Sequence, residues 1–226
     1  IVAVAKKLPG EVDFNFYLKS EDGQSYTLKI SRLDVDKGEL DFQASMMQHL
    51  RNKKFPYQIP ELVTALDGSL YQKISDEYQQ QRWIRLQKWV VGRMVEEINP
   101  RSPKLLEDWG RVAGHLTYAL QEFDHPKAHR FYKWNPSETL FSKKYLSYIH
   151  EEEQQEIATY FWELFETETQ PKLAALRKSV NYNDAHGHNL LANNDLKNPK
   201  ITGIIDFGDA LYTHTINELA IACASA

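Results

Sequence analysis

Residues 183–209 read NDAHGHNLLANNDLKNPKITGIIDFGD, and three side chains there, Asp184, Asn189 and Asp206, carry oxygens of the kind that bind a hard divalent cation. Asn189 follows Asp184 by five positions, and Asp206 opens an Asp-Phe-Gly at the end of the apolar run 201–205. Phosphoryl transfer asks for such a set. One carboxylate orients an attacking hydroxyl and accepts its proton, an amide oxygen and a second carboxylate hold magnesium, and a cation meets the phosphates. Asp184, Asn189, Asp206 and Lys29 can fill those roles in that order. An isolated Asp-Phe-Gly is more often a turn than a metal motif. What gives these residues weight is their order and the elements that present them.

Those elements are legible from periodicity. Phe14, Phe16 and Leu18 alternate with Asn15 and Tyr17, Glu21-Asp22-Gly23 supplies a turn, and Tyr26, Leu28 and Ile30 alternate with Ser25, Thr27 and Lys29. A hairpin with one buried, apolar face is predicted. Lys29 then lies on the polar face, either solvated or aimed at whatever that face covers. Leu8-Pro9-Gly10-Glu11 is a turn feeding the first strand. A helical period covers 38–50, with Glu39 and Gln43 one turn apart on a shared face, and 70–74 and 83–91 read as further strands. Val91-Gly92-Arg93 ends this strand-rich part.

Beyond it, Ser102-Pro103 starts a helix whose stripe is Leu105, Trp109, Val112, Leu116, Leu120 and Phe123, with Gly110 and Gly114 placed to admit a close neighbour. After the Asp124-His125-Pro126 break, Glu151-Glu152-Glu153 opens a helix carrying Ile157, Tyr160, Phe161, Leu164 and Phe165, and Pro171 starts a further piece. Residues 180–189 read as a polar loop, 190–192 and 201–205 as a hairpin, and 215–222 as a helix. The expected fold class is α+β, a strand-rich lobe over 1–92 before a helical lobe over 93–226, with a cleft at their junction.

The 226 residues are 42% hydrophobic, enough for a real core. A net charge of -4 argues against a broad basic nucleic-acid surface. No apolar run has membrane-spanning length. The single Cys223 cannot form an internal disulfide, which suits a reducing cytoplasm. The chain begins at Ile1 without a methionine and stops inside the apolar run 219–224, so both ends are expected to be cuts in a longer protein, with the helical lobe truncated.

Tyr182-Asn183-Asp184-Ala185-His186-Gly187-His188-Asn189 resembles the catalytic loop H-G-D-x-H-x-x-N of protein-kinase-like phosphotransferases of the aminoglycoside phosphotransferase and choline kinase type, and Asp206-Phe207-Gly208 resembles their metal motif. The loop matches at Asp184, His186 and Asn189 and departs at Tyr182 and Asn183. More narrowly, the run 8–16, Leu28-Lys29-Ile30, the Phe123-Asp124-His125-Pro126 break and the helix over 215–222 are similar to hydroxylysine kinases and to phosphotransferase domains fused to class III aminotransferases. The resemblance implies a two-lobed fold using ATP and Mg2+ to phosphorylate a small hydroxyl-bearing acceptor, an amino alcohol or hydroxylated amino acid. It implies Asp184 as base and Asn189 and Asp206 as metal ligands. Lys29 would meet the α- and β-phosphates, the loop with Gly10, Glu11 and Asn15 would cover the nucleotide, and Lys88, Trp89 and Val90 would form the hinge that meets adenine. The lysine's helix partner, normally Glu, is Gln43 by register, with Glu39 a turn earlier.

His186 is expected to order the loop and His188 to face solvent. Asp209 reads as a helix cap or a contact to a cationic substrate, Glu218 as a tie to the loop, and Trp83, Trp89, Trp109 and Trp134 as packing residues. Two other functions fit the same residues: a nucleotide-binding pseudokinase regulating a fused or partner enzyme, and a metal-dependent hydrolase built on His186, His188 and Asp184.

Overall fold

The structure, a computed structural model, describes residues 3–226. In chain order it contains strands β1 (Ala3–Leu8), β2 (Phe14–Ser20) and β3 (Ser25–Ile30), helix α1 (Lys37–Asn52), and strands β4 (Gln72–Ser75), β5 (Gln81–Lys88) and β6 (Arg93–Met94). Helices α2 (Pro103–Ala119), α3 (Glu152–Leu164) and α4 (Gln170–Leu173) follow. Strands β7 (Lys178–Asn181), β8 (Leu190–Ala192), β9 (Ile201–Ile204) and β10 (Leu211–His214) and helix α5 (Ile216–Ser225) complete it. Two compact units emerge: one runs to Ile98 and takes in His188–Ile205, and the other holds Asn99–Gly187 and Asp206–Ala226. The first therefore extends past residue 92 and includes the β8–β9 hairpin.

In the first unit, an antiparallel sheet has the order β1-β2-β3-β5-β4. Strand β1 has no alternation in sequence because its central residues are exposed on both faces at the sheet edge. Strand β5 stops at Lys88, short of the predicted 91, as the chain turns toward β8. Strand β6 pairs Arg93 with Ala192 and Met94 with Leu191. Gly92 makes that approach possible, since a Cβ there would stand 2.8 Å from Leu191 Cβ and 2.9 Å from the Ala192 carbonyl oxygen. Helix α1 begins where Asp36 accepts a hydrogen bond from the Gly38 N–H at 2.9 Å, a cap that stabilises by about 1 kcal/mol. It buries Leu40, Phe42, Met46, Met47 and Leu50.

The expected buried face of the hairpin is corrected. Phe14 is 46% exposed, whereas Lys29, Arg85 and Gln87 are buried, so the face read as polar is the covered one. Gln43 of α1 reaches that face through Arg85.

The second unit opens as predicted. Ser102 Oγ accepts from the Leu105 N–H at 3.2 Å, Pro103 occupies the first turn, and Leu105, Trp109, Val112 and Leu116 are buried. Gly110 and Gly114 face open space rather than a close neighbour. Helix α3 also differs from expectation: none of its residues is buried, and Tyr160 and Phe161 pack edge to face on the surface. Strands β7 and β10 pair Asn181 with Leu211 and Lys178 with His214, so Val180 and Asn181 lie in a strand rather than in the expected loop. They are four residues long and polar, and Asn181 is satisfied there by donating to the His214 carbonyl at 2.9 Å. Helix α5 packs against α2, and Arg101 donates to the Ser225 carbonyl at 3.0 Å.

Candidate active site

Within the second unit, the loop after β7 is fastened from several elements. Tyr182 is fully buried, and its ring meets Phe207 edge-on at 5.2 Å. Asn183 has φ +64°, the left-handed region that glycine favours and asparagine tolerates, which accounts for Asn standing where the resembled loop has Gly. Glu218 Oε2 accepts from the Asn183 N–H at 3.1 Å, tying α5 to the loop. Trp109 Nε1 donates to the Ala185 carbonyl at 2.8 Å. Asp184 emerges from this scaffold with its side chain 24% exposed and the His186 ring nitrogen 3.3 Å away. His188, in the first unit, is exposed.

Asp206 also adopts a left-handed backbone, with φ +57°, and is exposed; its Oδ1 accepts from the Gly208 N–H at 3.1 Å. Asp209 does not cap a helix, since α5 begins after Thr215. It accepts instead from the Tyr132 hydroxyl. Arg130 lies over the Tyr132 ring at 5.1 Å and donates to the Gly208 carbonyl at 3.0 Å. Burial, and then the charges of Asp184 and Asp206, push the Asp209 carboxyl up to about 6 against the Tyr132 hydrogen bond and Arg130. Burial lifts Glu218 to about 7. Tyr132 and Arg130 escaped the sequence reading because the segment after the 124–126 break has no periodicity to place them.

The remaining expected residues lie in the first unit. Lys29 is buried, paired across the ladder with Asn15 on one side and Arg85 on the other. Of its two candidate helix partners, Glu39 accepts from Arg32 at 3.1 and 3.2 Å, and Gln43 accepts from Arg85 at 3.4 Å. Gly10 and Glu11 are exposed on the loop between β1 and β2, where Asn15 Nδ2 donates back to the Pro9 carbonyl at 3.1 Å. Lys88, Trp89 and Val90 line a hollow of about 340 Å³ with Arg51, Tyr57 and Glu61. The Lys88 N–H donates to the Glu61 carbonyl at 2.8 Å, and the Trp89 N–H to the Ser25 carbonyl at 3.0 Å. Asn189 is buried, and its carbonyl accepts from the Ile205 N–H at 2.9 Å. Arg85 was missed, although an arginine between Ile84 and Leu86 in a strand is a visible anomaly.

Among the described residues no three His, Cys, Asp or Glu side chains stand together as a metal cage. Asp206 presents an exposed carboxylate, a donor of the kind that magnesium takes, and magnesium is held by few protein ligands and retains waters.

A model of the phosphotransferase enzyme family matches residues 4–226. Hydroxylysine kinase of Xenopus laevis is 31% identical over 96% of this chain and 63% of its own length, and that of Mus musculus 28% over 97% and 63%. The chain thus spans about 63% of the length of these curated relatives. Among solved structures, an amicoumacin kinase in complex with AMP-PNP and Ca2+ aligns with a TM-score of 0.69 at 19% identity, covering 96% of this chain and 62% of that one. A microcompartment-associated aminopropanol kinase aligns at 0.66 and 17%, covering 97% and 68%. These likenesses give the fold class, which is the protein-kinase-like one expected. No helix among the described residues is long and apolar enough to cross a membrane.

Proposed function

Starting from a chain that belongs to the phosphotransferase enzyme family, we propose that it moves the γ-phosphate of ATP to a hydroxyl of a small molecule, an amino alcohol or hydroxylated amino acid. The observation that carries the reading is the fastening of the Asp184 loop to the Asp-Phe-Gly segment by Tyr182 on Phe207, to α5 by Glu218 and to α2 by Trp109. Such preorganisation is what a positioned general base requires.

In this reading the Asp184 carboxylate orients the acceptor hydroxyl and takes its proton as the hydroxyl oxygen attacks. Asn189 and Asp206 hold Mg2+, which when bound neutralises charge on the phosphate oxygens. Lys29 meets the phosphates, and the loop with Gly10, Glu11 and Asn15 closes over them. Lys88, Trp89 and Val90 form the hinge whose backbone meets adenine, the N–H groups of Lys88 and Trp89 donating within the unit to the Glu61 and Ser25 carbonyls. The hydroxylysine kinases and the aminopropanol kinase among the relatives support an acceptor with an amine beside its hydroxyl. We place the protein in the cytoplasm, with an aminotransferase-type enzyme as a fused or associated partner.

A second reading, a nucleotide-binding regulator without turnover, draws on Gln43 standing at the helix position where the resembled fold carries Glu and being bound by Arg85. ATP consumption against a panel of amino alcohols and hydroxylated amino acids, with Asp184→Asn as control, separates the two. Turnover abolished by Asp184→Asn supports the kinase; tight Mg-ATP binding with no turnover on any acceptor supports the regulator. No thermal shift at millimolar Mg-ATP sinks both.

A further inference from the structure

We infer that Arg85 is a positioning residue that fastens the loop between β1 and β2 to the sheet carrying Lys29 and to helix α1, a role that rests on the nucleotide function proposed above. Arg85 lies directly across the ladder from Lys29, which lies across from Asn15, so the three side chains leave one face of the sheet in a row. The Arg85 side chain is only 4% exposed. Its Nη1 donates to Ser31 Oγ at 2.9 Å, and its Nη2 to Asp13 Oδ2 at 2.8 Å and Gln43 Oε1 at 3.4 Å. These acceptors come from three places: the end of β3, the loop, and α1.

A planar guanidinium can serve three such acceptors at once because its donors are fixed in a fork, which an ammonium cannot reproduce. Burial makes the arrangement demanding, since loss of the Asp13 carboxylate leaves a buried charge uncompensated. The loop is shaped to deliver that carboxylate. Asn15 donates back to the Pro9 carbonyl, and a Cβ on Gly10 would stand 2.4 Å from Asn15 Nδ2 and 2.5 Å from the Asp13 carbonyl oxygen. Only glycine fits under this fold of the chain.

The resembled kinases couple helix to sheet through a lysine–glutamate ion pair. Here Gln43, at that helix position, also accepts from Arg85, which adds a second tie between α1 and the sheet. Arg85 thus links α1, the sheet and the loop, and it acts on nucleotide through Asp13 and Lys29 rather than by touching it.

The test is calorimetric titration of the whole chain with Mg-ATP and with adenosine, alongside hydrogen exchange of residues 9–15 without nucleotide. Wild type, Arg85→Lys and the neutral double variant Arg85→Gln/Asp13→Asn are compared. Arg85→Lys is expected to weaken Mg-ATP binding roughly tenfold, to leave adenosine within about twofold, and to speed exchange in the loop. The double variant removes the buried charge, so it keeps thermal stability while Mg-ATP affinity stays low. An Arg85→Lys protein that binds Mg-ATP like wild type, or loses adenosine equally, overturns the inference alone. A wild-type protein that binds no nucleotide overturns the functional reading and the inference with it.

Discussion

The ring of Tyr182 stands edge-on to that of Phe207, at 71° with centroids 5.2 Å apart, so the residue two before Asp184 and the residue after Asp206 form one packed pair. Both rings are buried. Tyr182→Ala is expected to lower unfolding stability by about 3–5 kcal/mol through the cavity it leaves. The Tyr182→Ala/Phe207→Ala cycle, measured by urea unfolding, should return a coupling of about 1 kcal/mol. Additive effects would show that the contact does not join the two segments.

Asn183 combines φ +64° with a buried side chain whose two polar atoms have no hydrogen-bond partner among the described residues. Asn183→Gly relieves both costs and should leave thermal stability unchanged or raised. Asn183→Val forces a β-branched residue into the left-handed region and should cost on the order of 1–3 kcal/mol. Equal tolerance of the two variants in thermal melts would contradict the backbone reading.

Glu218 gives a pH dependence with a definite sign. Burial lifts its folded-state value to about 7 from an ordinary 4.5, so the fold prefers the neutral acid. That contribution is full below the unfolded value and is lost as pH rises through 7, an effect on the order of 3 kcal/mol. Asp209, raised to about 6, acts in the same direction. Glu218→Gln should therefore flatten, without abolishing, the fall in stability between pH 4.5 and 7. Parallel stability–pH curves for variant and wild type would remove Glu218 from the account.

The Trp109 indole N–H to Ala185 carbonyl bond, 2.8 Å and buried, links α2 to the residue after Asp184. Trp109→Phe keeps the aromatic fill, loses the donor and leaves a buried carbonyl, for about 1–3 kcal/mol. On the kinase reading, kcat should fall more than the acceptor KM rises, because the base loses its orientation. A KM effect alone would place Trp109 in binding instead.

Asp184, Asn189 and Asp206 stand out in the sequence as candidates because motif order is visible without knowledge of packing. The α2 start was legible too, since Ser102 caps through a local hydrogen bond. Alternation gave the β2–β3 hairpin, and two apolar runs around a turn gave the β8–β9 hairpin. It failed for β1, exposed on both faces, and for β7 and β10, whose polar residues are satisfied by partners distant in sequence.

Sequence alone therefore determined which groups are candidates for the chemistry and which short-range elements present them, because those signals depend on residues a few positions apart. Tertiary structure decided which face of the hairpin is buried, that Asp209 meets Tyr132 rather than capping a helix, and that Arg85 reaches Asp13, 72 positions away. Each of these depends on what the fold sets opposite a side chain: burial, and partners too far along the chain for local periodicity to encode.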